Sequence, residues 1–348
     1  MRYFNNDYSE GCHPKILQRL MDTNMEQTPG YGVDEYCAKA ARIIRKLCGR
    51  EDLGVHFLVG GTQTNVTVID SVLRPYQGVV CAVSGHINVH ETGAVEATGH
   101  KVLGMDSQDG KITAKQVRQV ALEHLQSDCT EHMVQPKLVY ISNPTELGTI
   151  YSLEELQAMR KVCDEFGYYL FMDGARLGYG LTAADNDLTM EDIARLCHVF
   201  YIGGTKVGAL FGEAVVIAEP SIDRDFRYMI KQHGGMLAKG RLLGLQFGAL
   251  LEDGLYFDIA KTANALADRI RGTLKDLELP LLVDGSTNQI FAILPDHMLA
   301  QLGEEFTFSV EKRVDEQHRA VRFCTSWATR SQDVDALCDK LKELSEKL

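Results

Sequence analysis

Short apolar runs alternate with longer amphipathic segments through the middle of this chain, and that alternation limits the fold more than any other feature. The runs GVHFLV (54–59), GVVCAVS (78–84), KLVYIS (137–142), YYLFMD (168–173) and HVFYIG (198–203) read as buried strands. TAKQVRQVALEHLQ (113–126) and SLEELQAMRKVCDEFG (152–167) carry helical patterns, the second opened by a capping box from Ser152 to Glu155 and closed by Gly167. Such alternation implies βαβ units and a mostly parallel sheet, an α/β chain. Beyond about residue 250 the texture changes. LPLLVDGSTNQIFAILP (279–295) reads as two strands joined by a turn, HRAVRFCTSW (318–327) as a strand, and SQDVDALCDKLKELSEKL (331–348) as a closing amphipathic helix. The expected organisation is a large α/β domain over 25–250 and a smaller α+β domain from 251–348, onto which residues 1–24 fold back.

The net charge of −12 argues against nucleic acid or an anionic membrane surface as partner. An anionic ligand must then be held by a few local cations or backbone amides. The nine cysteines are scattered with no C-x-x-C, which predicts reduced thiols in a cytoplasmic protein and neither a disulfide framework nor a zinc site. The N-terminal MRYFNNDYSEGCHP lacks the apolar core of a signal peptide. No apolar run reaches the roughly 18 residues of a membrane span.

In an open parallel sheet, ligands bind beyond the carboxyl ends of the strands, so the residues there carry the functional argument. After the first run comes GGTQTN (60–65) and a helical pattern; glycines and free helix N–H groups make an anion site suited to phosphate, although a helix start needing glycine for packing has the same look. After the second comes GHINVHETGA (85–94), with His86, His90 and Glu91. A histidine there could stack on a ligand ring, bind a metal or cap a helix; with two histidines and one carboxylate, no metal is expected. After the third, NPTELGT (143–149) places Glu146 in a polar turn that is either ordinary surface or substrate-facing. After the fourth, Asp173 ends an apolar strand, where burial demands a cation or donor; Arg176, three residues on, is a candidate partner. After the fifth comes Lys206, 33 residues beyond Asp173, with no acid within four residues on either side. Desolvation lowers such a lysine's pKa and leaves a nucleophilic amine able to form a Schiff base. Taken alone, Lys206 reads more readily as a lysine that packs its stem and sends its head to water.

One ligand uses the whole set: pyridoxal 5′-phosphate (PLP), whose phosphate needs an amide nest, whose aldehyde needs an amine, and whose pyridine nitrogen needs a carboxylate. GGTQTN, the H-x4-E at 86–91, DGAR (173–176) and the strand-ending TK (205–206), in this order, resemble the PLP-dependent threonine aldolases and the related β-eliminating lyases of the fold-type I, aspartate aminotransferase-like superfamily. The resemblance runs from NDYSEGCHP (6–14) to VRFCTSWAT (321–329). It implies that Lys206 holds PLP, Asp173 pairs with the ring nitrogen, Ala175 and His86 lie on opposite ring faces, and Gly61 and Thr62 hold the phosphate. Arg176 reaches the ring hydroxyl or the substrate carboxylate, and Arg322 is the main carboxylate clamp. Tyr31 approaches from a neighbouring subunit of a homodimer or homotetramer.

The chain departs from the family pattern in places. Glu146 stands where a histidine is common. HGGMLAKGR (233–241) has Leu237 where an arginine is usual, which leaves Lys239 or Arg241 as its candidate substitute. Asn6, with Ser9 close by, replaces a carboxylate-contacting serine. The resemblance implies cleavage of an L-β-hydroxy-α-amino acid to glycine and an aldehyde, with His86, His90, Glu146 or a water as the base. The alternatives are β-elimination or transamination of a small amino acid, or a non-catalytic phosphate-ligand-binding protein.

Overall fold

Thirteen strands are defined in the computed structural model, which describes residues 1–346: β1 (Arg2–Tyr3), β2 (Gly54–Leu58), β3 (Gln77–Ala82), β4 (Lys101–Met105), β5 (Gln135–Ser142), β6 (Tyr169–Asp173), β7 (Val199–Gly203), β8 (Glu213–Ile217), β9 (Leu281–Val283), β10 (Gln289–Pro295), β11 (Phe306–Thr307), β12 (Ser309–Arg313) and β13 (His318–Cys324). Seven of them form the central sheet in the order β2-β8-β7-β6-β5-β3-β4. All neighbours from β7 to β4 are parallel, whereas β8 runs antiparallel to both β2 and β7. The uniformly apolar runs are strands buried on both faces. Alternate residues enter opposite cores: Val80, Val139, Leu170, Phe200 and Val216 pack on one side. Their neighbours Val79, Leu138, Phe171, Tyr201 and Val215 pack on the other.

The helices between strands form for the reasons their termini advertise. Leu153–Phe166 starts with Ser152 Oγ accepting from Glu155 N–H and Glu155 Oε2 accepting from Ser152 N–H, and ends at Gly167 with φ 64°. Ala114–Leu125 uses the same reciprocal cap between Thr113 and Gln116. Strands β4 and β8 go beyond the sequence reading. β4 is short, with Lys101 and Gly104 exposed and the rest only partly buried, and AVVI of β8 lacks the helix-then-strand spacing of a βαβ unit because it returns antiparallel.

Near the C-terminal part, an antiparallel sheet of order β12-β13-β10-β9 packs with Ser331–Ser345 and the 22-residue helix Leu255–Asp276. That helix contributes Tyr256, Ala260 and Ala263 to the large core and Leu266, Ile270 and Leu274 to the smaller one. Residues 347–348 of the expected closing helix lie outside the described residues. Among the first 24 residues, Phe4 sits in the smaller core, while Cys12 and Ile16 sit in the large one. β1 adds in parallel to β11, carrying the chain start across to the strand ends of the central sheet. Among the described residues no helix is long and apolar enough to cross a membrane.

Candidate active site

The carboxyl ends of β2, β3, β5, β6 and β7 open on one edge, and there the sequence-predicted residues converge. A cleft of about 650 Å³ is lined by Gly61, Thr62, His86, Lys206 and Arg322 among others. It continues into a narrow recess bounded by Ser142, Asp173 and Tyr201. Glu146, Ala175 and Arg176 line both.

Asp173 is the last residue of β6, and its side chain is fully committed. Oδ1 accepts from Ala175 N–H at 2.9 Å. Oδ2 accepts from Asn65 Nδ2 at 3.2 Å and from the Tyr140 hydroxyl. Burial, reinforced by the charges of Asp173 and Glu146, pushes the Tyr140 phenol well above its ordinary range, so it stays a donor. The turn after Asp173 requires Gly174: a Cβ there would lie 1.9 Å from the Tyr201 carbonyl oxygen.

Arg176 is not the partner of Asp173. Its guanidinium forks onto Asp7, Nε to Oδ2 at 2.7 Å and Nη2 to Oδ1 at 3.0 Å. Asp7 is fully buried and also accepts from Asn288 Nδ2 at 2.9 Å. Burial works against its ionisation, but Arg176, Lys206 and these hydrogen bonds prevail and hold its carboxyl below the usual range. The local reading failed because the true partner is 169 residues away in sequence.

Lys206 follows β7 in the loop to β8. Its carbonyl accepts from the Tyr179 hydroxyl at 2.6 Å, and its amine forms no hydrogen bond or ion pair among the described residues. Burial and then the Arg176 charge lower its pKa, against the opposing pull of Asp7, Asp173 and Glu213. Glu213, opposite Gly203 in the sheet register, is buried at the base of this loop. It accepts from Thr205 Oγ1 at 2.9 Å and Gly204 N–H at 3.2 Å, and burial pushes its pKa up to about 8. Nothing in local sequence marks Glu213, because β8 was not legible as a strand.

His86 Nδ1 lies 2.6 Å from Glu91 Oε1, and Asn65 Nδ2 donates to that same oxygen at 2.7 Å. With a carboxylate as partner, Nδ1 carries the proton and Nε2 remains the free nitrogen. Asn65, which the sequence reading passed over, thus links the carboxylates of Glu91 and Asp173. Glu146 Oε1 accepts from the Ser142 hydroxyl at 2.6 Å and from His86 N–H at 2.9 Å. Burial, aided by the Asp173 charge, raises its pKa. His90 also lines the cleft, its pKa lowered by burial and by His86. No group of three or more His, Cys, Asp or Glu side chains among the described residues could hold a metal.

Helix Gly61–Val72 begins at Gly60 with no side-chain cap, and no atom lies within 4 Å of a Cβ built at Gly60. The buried Ser84 hydroxyl, without a hydrogen-bond partner among the described residues, faces the same cleft. Arg322 is held by Gln289 Oε1 at 3.2 Å, Asn5 O at 3.2 Å and Ser309 Oγ at 3.3 Å. Asn6 Oδ1 accepts from Ser9 Oγ and Tyr8 N–H, both at 2.9 Å, and of these three residues it is Tyr8 that lines the cleft. Tyr31 does not line its own chain's cleft. It lies, half exposed, in a separate depression with Arg227, Met236 and Leu237. Arg241 is engaged with Thr23 O and Asn24 O.

The donor set fits PLP: an uncapped, glycine-led helix end with an unpartnered hydroxyl beside it, an aspartate braced by three donors, and an unpaired, partly buried amine whose pKa is lowered. A mostly parallel sheet with this set at its strand ends defines the aspartate aminotransferase-like class of PLP-dependent enzymes. The sequence profile described as beta-eliminating lyase matches residues 7–297, and the chain belongs to that family. It is 31% identical to the low specificity L-threonine aldolase of Pseudomonas sp. (strain NCIMB 10558), over 97% of this chain and 96% of that one. It superposes on a solved structure of Leishmania major threonine aldolase with a TM-score of 0.96 and 44% identity, covering 99% of this chain and 100% of that one. An Escherichia coli methionine aminotransferase shares the fold, with a TM-score of 0.77 at 14% identity over 98% and 93% of the two chains.

Proposed function

We propose that this chain is a PLP-dependent aldehyde-lyase of the low-specificity L-threonine aldolase type, cleaving an L-β-hydroxy-α-amino acid such as L-threonine or L-allo-threonine into glycine and an aldehyde. The observation that carries the reading is the unpaired Lys206 amine, its pKa lowered by burial, which lines both the cleft that holds the Arg322 guanidinium and the recess that holds braced Asp173. The kinship with threonine aldolases supports the same reaction.

When bound, PLP supplies an aldehyde carbon and a protonated ring that accepts the electron pair of the broken Cα–Cβ bond. Lys206 would hold the aldehyde carbon. Asp173 would keep the ring proton, its carboxylate fixed in place by Tyr140, Asn65 and the Ala175 amide. Gly61, Thr62 and Ser84 would hold the phosphate, and Ala175 and His86 would flank the ring. Arg322 clamps the substrate carboxylate and so decides which Cα bond stands in the reactive orientation. Arg176, already neutralised by Asp7, helps shape the cleft around the ring. The proton of the substrate hydroxyl goes to His86 Nε2, since the buried Glu91 behind Nδ1 stabilises the imidazolium that forms.

Tyr31 is part of this proposal as a residue that completes a neighbouring subunit's cleft in a homodimer or homotetramer. The exposed apolar side chains of Tyr31, Val33 and Tyr228 support a covered surface there. Nine free thiols, eight of them buried, fit a cytoplasmic setting.

Incubation of the purified protein with L-threonine, L-allo-threonine and L-serine tests the reaction. Glycine with an equimolar aldehyde is the expected product pair. A 2-oxo acid formed in place of glycine assigns β-elimination or transamination, and a colourless preparation with no borohydride-reducible absorbance removes PLP chemistry altogether.

A further inference from the structure

The two arginines of the cleft are satisfied in different ways. Arg176 has a fully buried, bidentate anion in Asp7. Arg322 is positioned by three neutral oxygens, and its Nε has no hydrogen-bond partner. Among the described residues only one carboxylate comes within ion-pair distance: Glu311 Oε1, 3.5 Å from Arg322 Nε. Glu311 lies on β12, the edge strand of the smaller sheet. The ladder pairs Ser309 with Arg322 and Val310 with Val321, then resumes with Lys312 opposite Ala320. Glu311 is therefore the extra residue of a β-bulge, the device that re-aims a side chain at the rim of a site. Its side chain is 31% exposed and lines the same cleft wall as Arg322.

We propose that Glu311 is an internal competitor for the substrate carboxylate at Arg322, a latch that the incoming amino acid displaces. The proposal rests on the reading of Arg322 as the clamp. Glu311 offers Arg322 one oxygen at ion-pair range, whereas an amino-acid carboxylate offers two in the fork geometry a guanidinium prefers. A partly exposed ion pair on a bulged edge strand is weak, so the exchange runs toward substrate. While Glu311 remains in place, it also repels an approaching carboxylate.

The test is equilibrium binding of glycine to the holoenzyme, followed by the change in absorbance of the bound cofactor, together with KM and kcat for L-threonine. Glu311→Gln and Glu311→Ala should each lower the glycine Kd and the KM by about two- to five-fold, the range a weak ion pair spans, with the smaller share of the change in kcat. An unchanged or raised Kd in Glu311→Gln overturns the latch, as does a gain confined to the Ala variant, which would trace to space and not charge. Arg322→Lys separates the two readings. A large loss of glycine affinity there with no effect at Glu311 leaves the clamp standing and removes the latch; no loss at Arg322 removes the clamp itself.

Discussion

Glu213 accepts a 2.9 Å hydrogen bond from the hydroxyl of Thr205, the residue immediately before Lys206. A buried acid thus fastens the loop that presents the amine. Burial moves its pKa from an ordinary 4.5 to about 8. Between those values the native state keeps a proton that the unfolded chain has released. Stability from this group is therefore full below about pH 4.5 and is lost as pH rises toward 8. Glu213→Gln, which resembles the protonated acid, removes that dependence. The difference in melting temperature between wild type and Glu213→Gln, followed from pH 5 to 8, should drift steadily against the wild type; a constant difference would show the carboxyl already ionised at the acid end.

Lys206→Ala deletes the one lysine amine that lines the cleft among the described residues. The purified variant should lack borohydride-reducible absorbance, and its turnover should drop by several orders of magnitude, as when the covalent group of an enzyme is removed. Retention of either property assigns the cofactor link to another lysine.

Asp173→Asn preserves size and, with its carbonyl toward them, the hydrogen bonds from Tyr140 and Asn65; it gives up the one from the Ala175 amide and removes the charge that keeps a ring nitrogen protonated. The expected effect is a loss of about 100-fold or more in kcat, with a smaller change in cofactor affinity. Steady-state kinetics beside a cofactor titration distinguish this from simple loss of binding.

Glu91→Gln replaces the carboxylate that sets the His86 tautomer. A fall of roughly 10- to 100-fold in kcat is expected, because a neutral amide no longer orients the ring as the carboxylate does. An unaltered kcat would remove His86 as proton acceptor.

Gly174→Ala probes the turn that aims Asp173. A methyl group 1.9 Å from the Tyr201 carbonyl oxygen cannot be accommodated without backbone movement. A destabilisation of about 3 kcal/mol or more follows, read as a drop in melting temperature or loss of soluble protein. A variant as stable as the parent would mean that the β6 turn yields easily.

Much of this site was legible because its chemistry sits where apolar strands end. Asp173 and Lys206 stand out as charges that terminate buried runs, and GGTQTN and GHINVHE announce themselves by position. What escaped the sequence is pairing across distance. Arg176 had a nearby acid in Asp173, yet it binds Asp7, whose own context of Asn and Tyr carries no signal. Asn65 looks like any polar residue of a first helical turn until Glu91 and Asp173 are brought to either side of it. Glu213 was hidden because β8 breaks the strand–helix rhythm by turning back antiparallel. Glu311 owes its direction to a bulge, a one-residue slip that no periodicity reports.

The brace on Arg176 joins Asp7 to Asn288, 281 positions apart, and Arg2 and Tyr3 lie beside Phe306 and Thr307. During translation, then, the contacts of Asp7 with Asn288 and of β1 with β11 form only after nearly the whole polypeptide has left the ribosome. The reaction chamber is sealed by the meeting of an early and a late segment, and a nascent chain halted before residue 288 cannot yet close it.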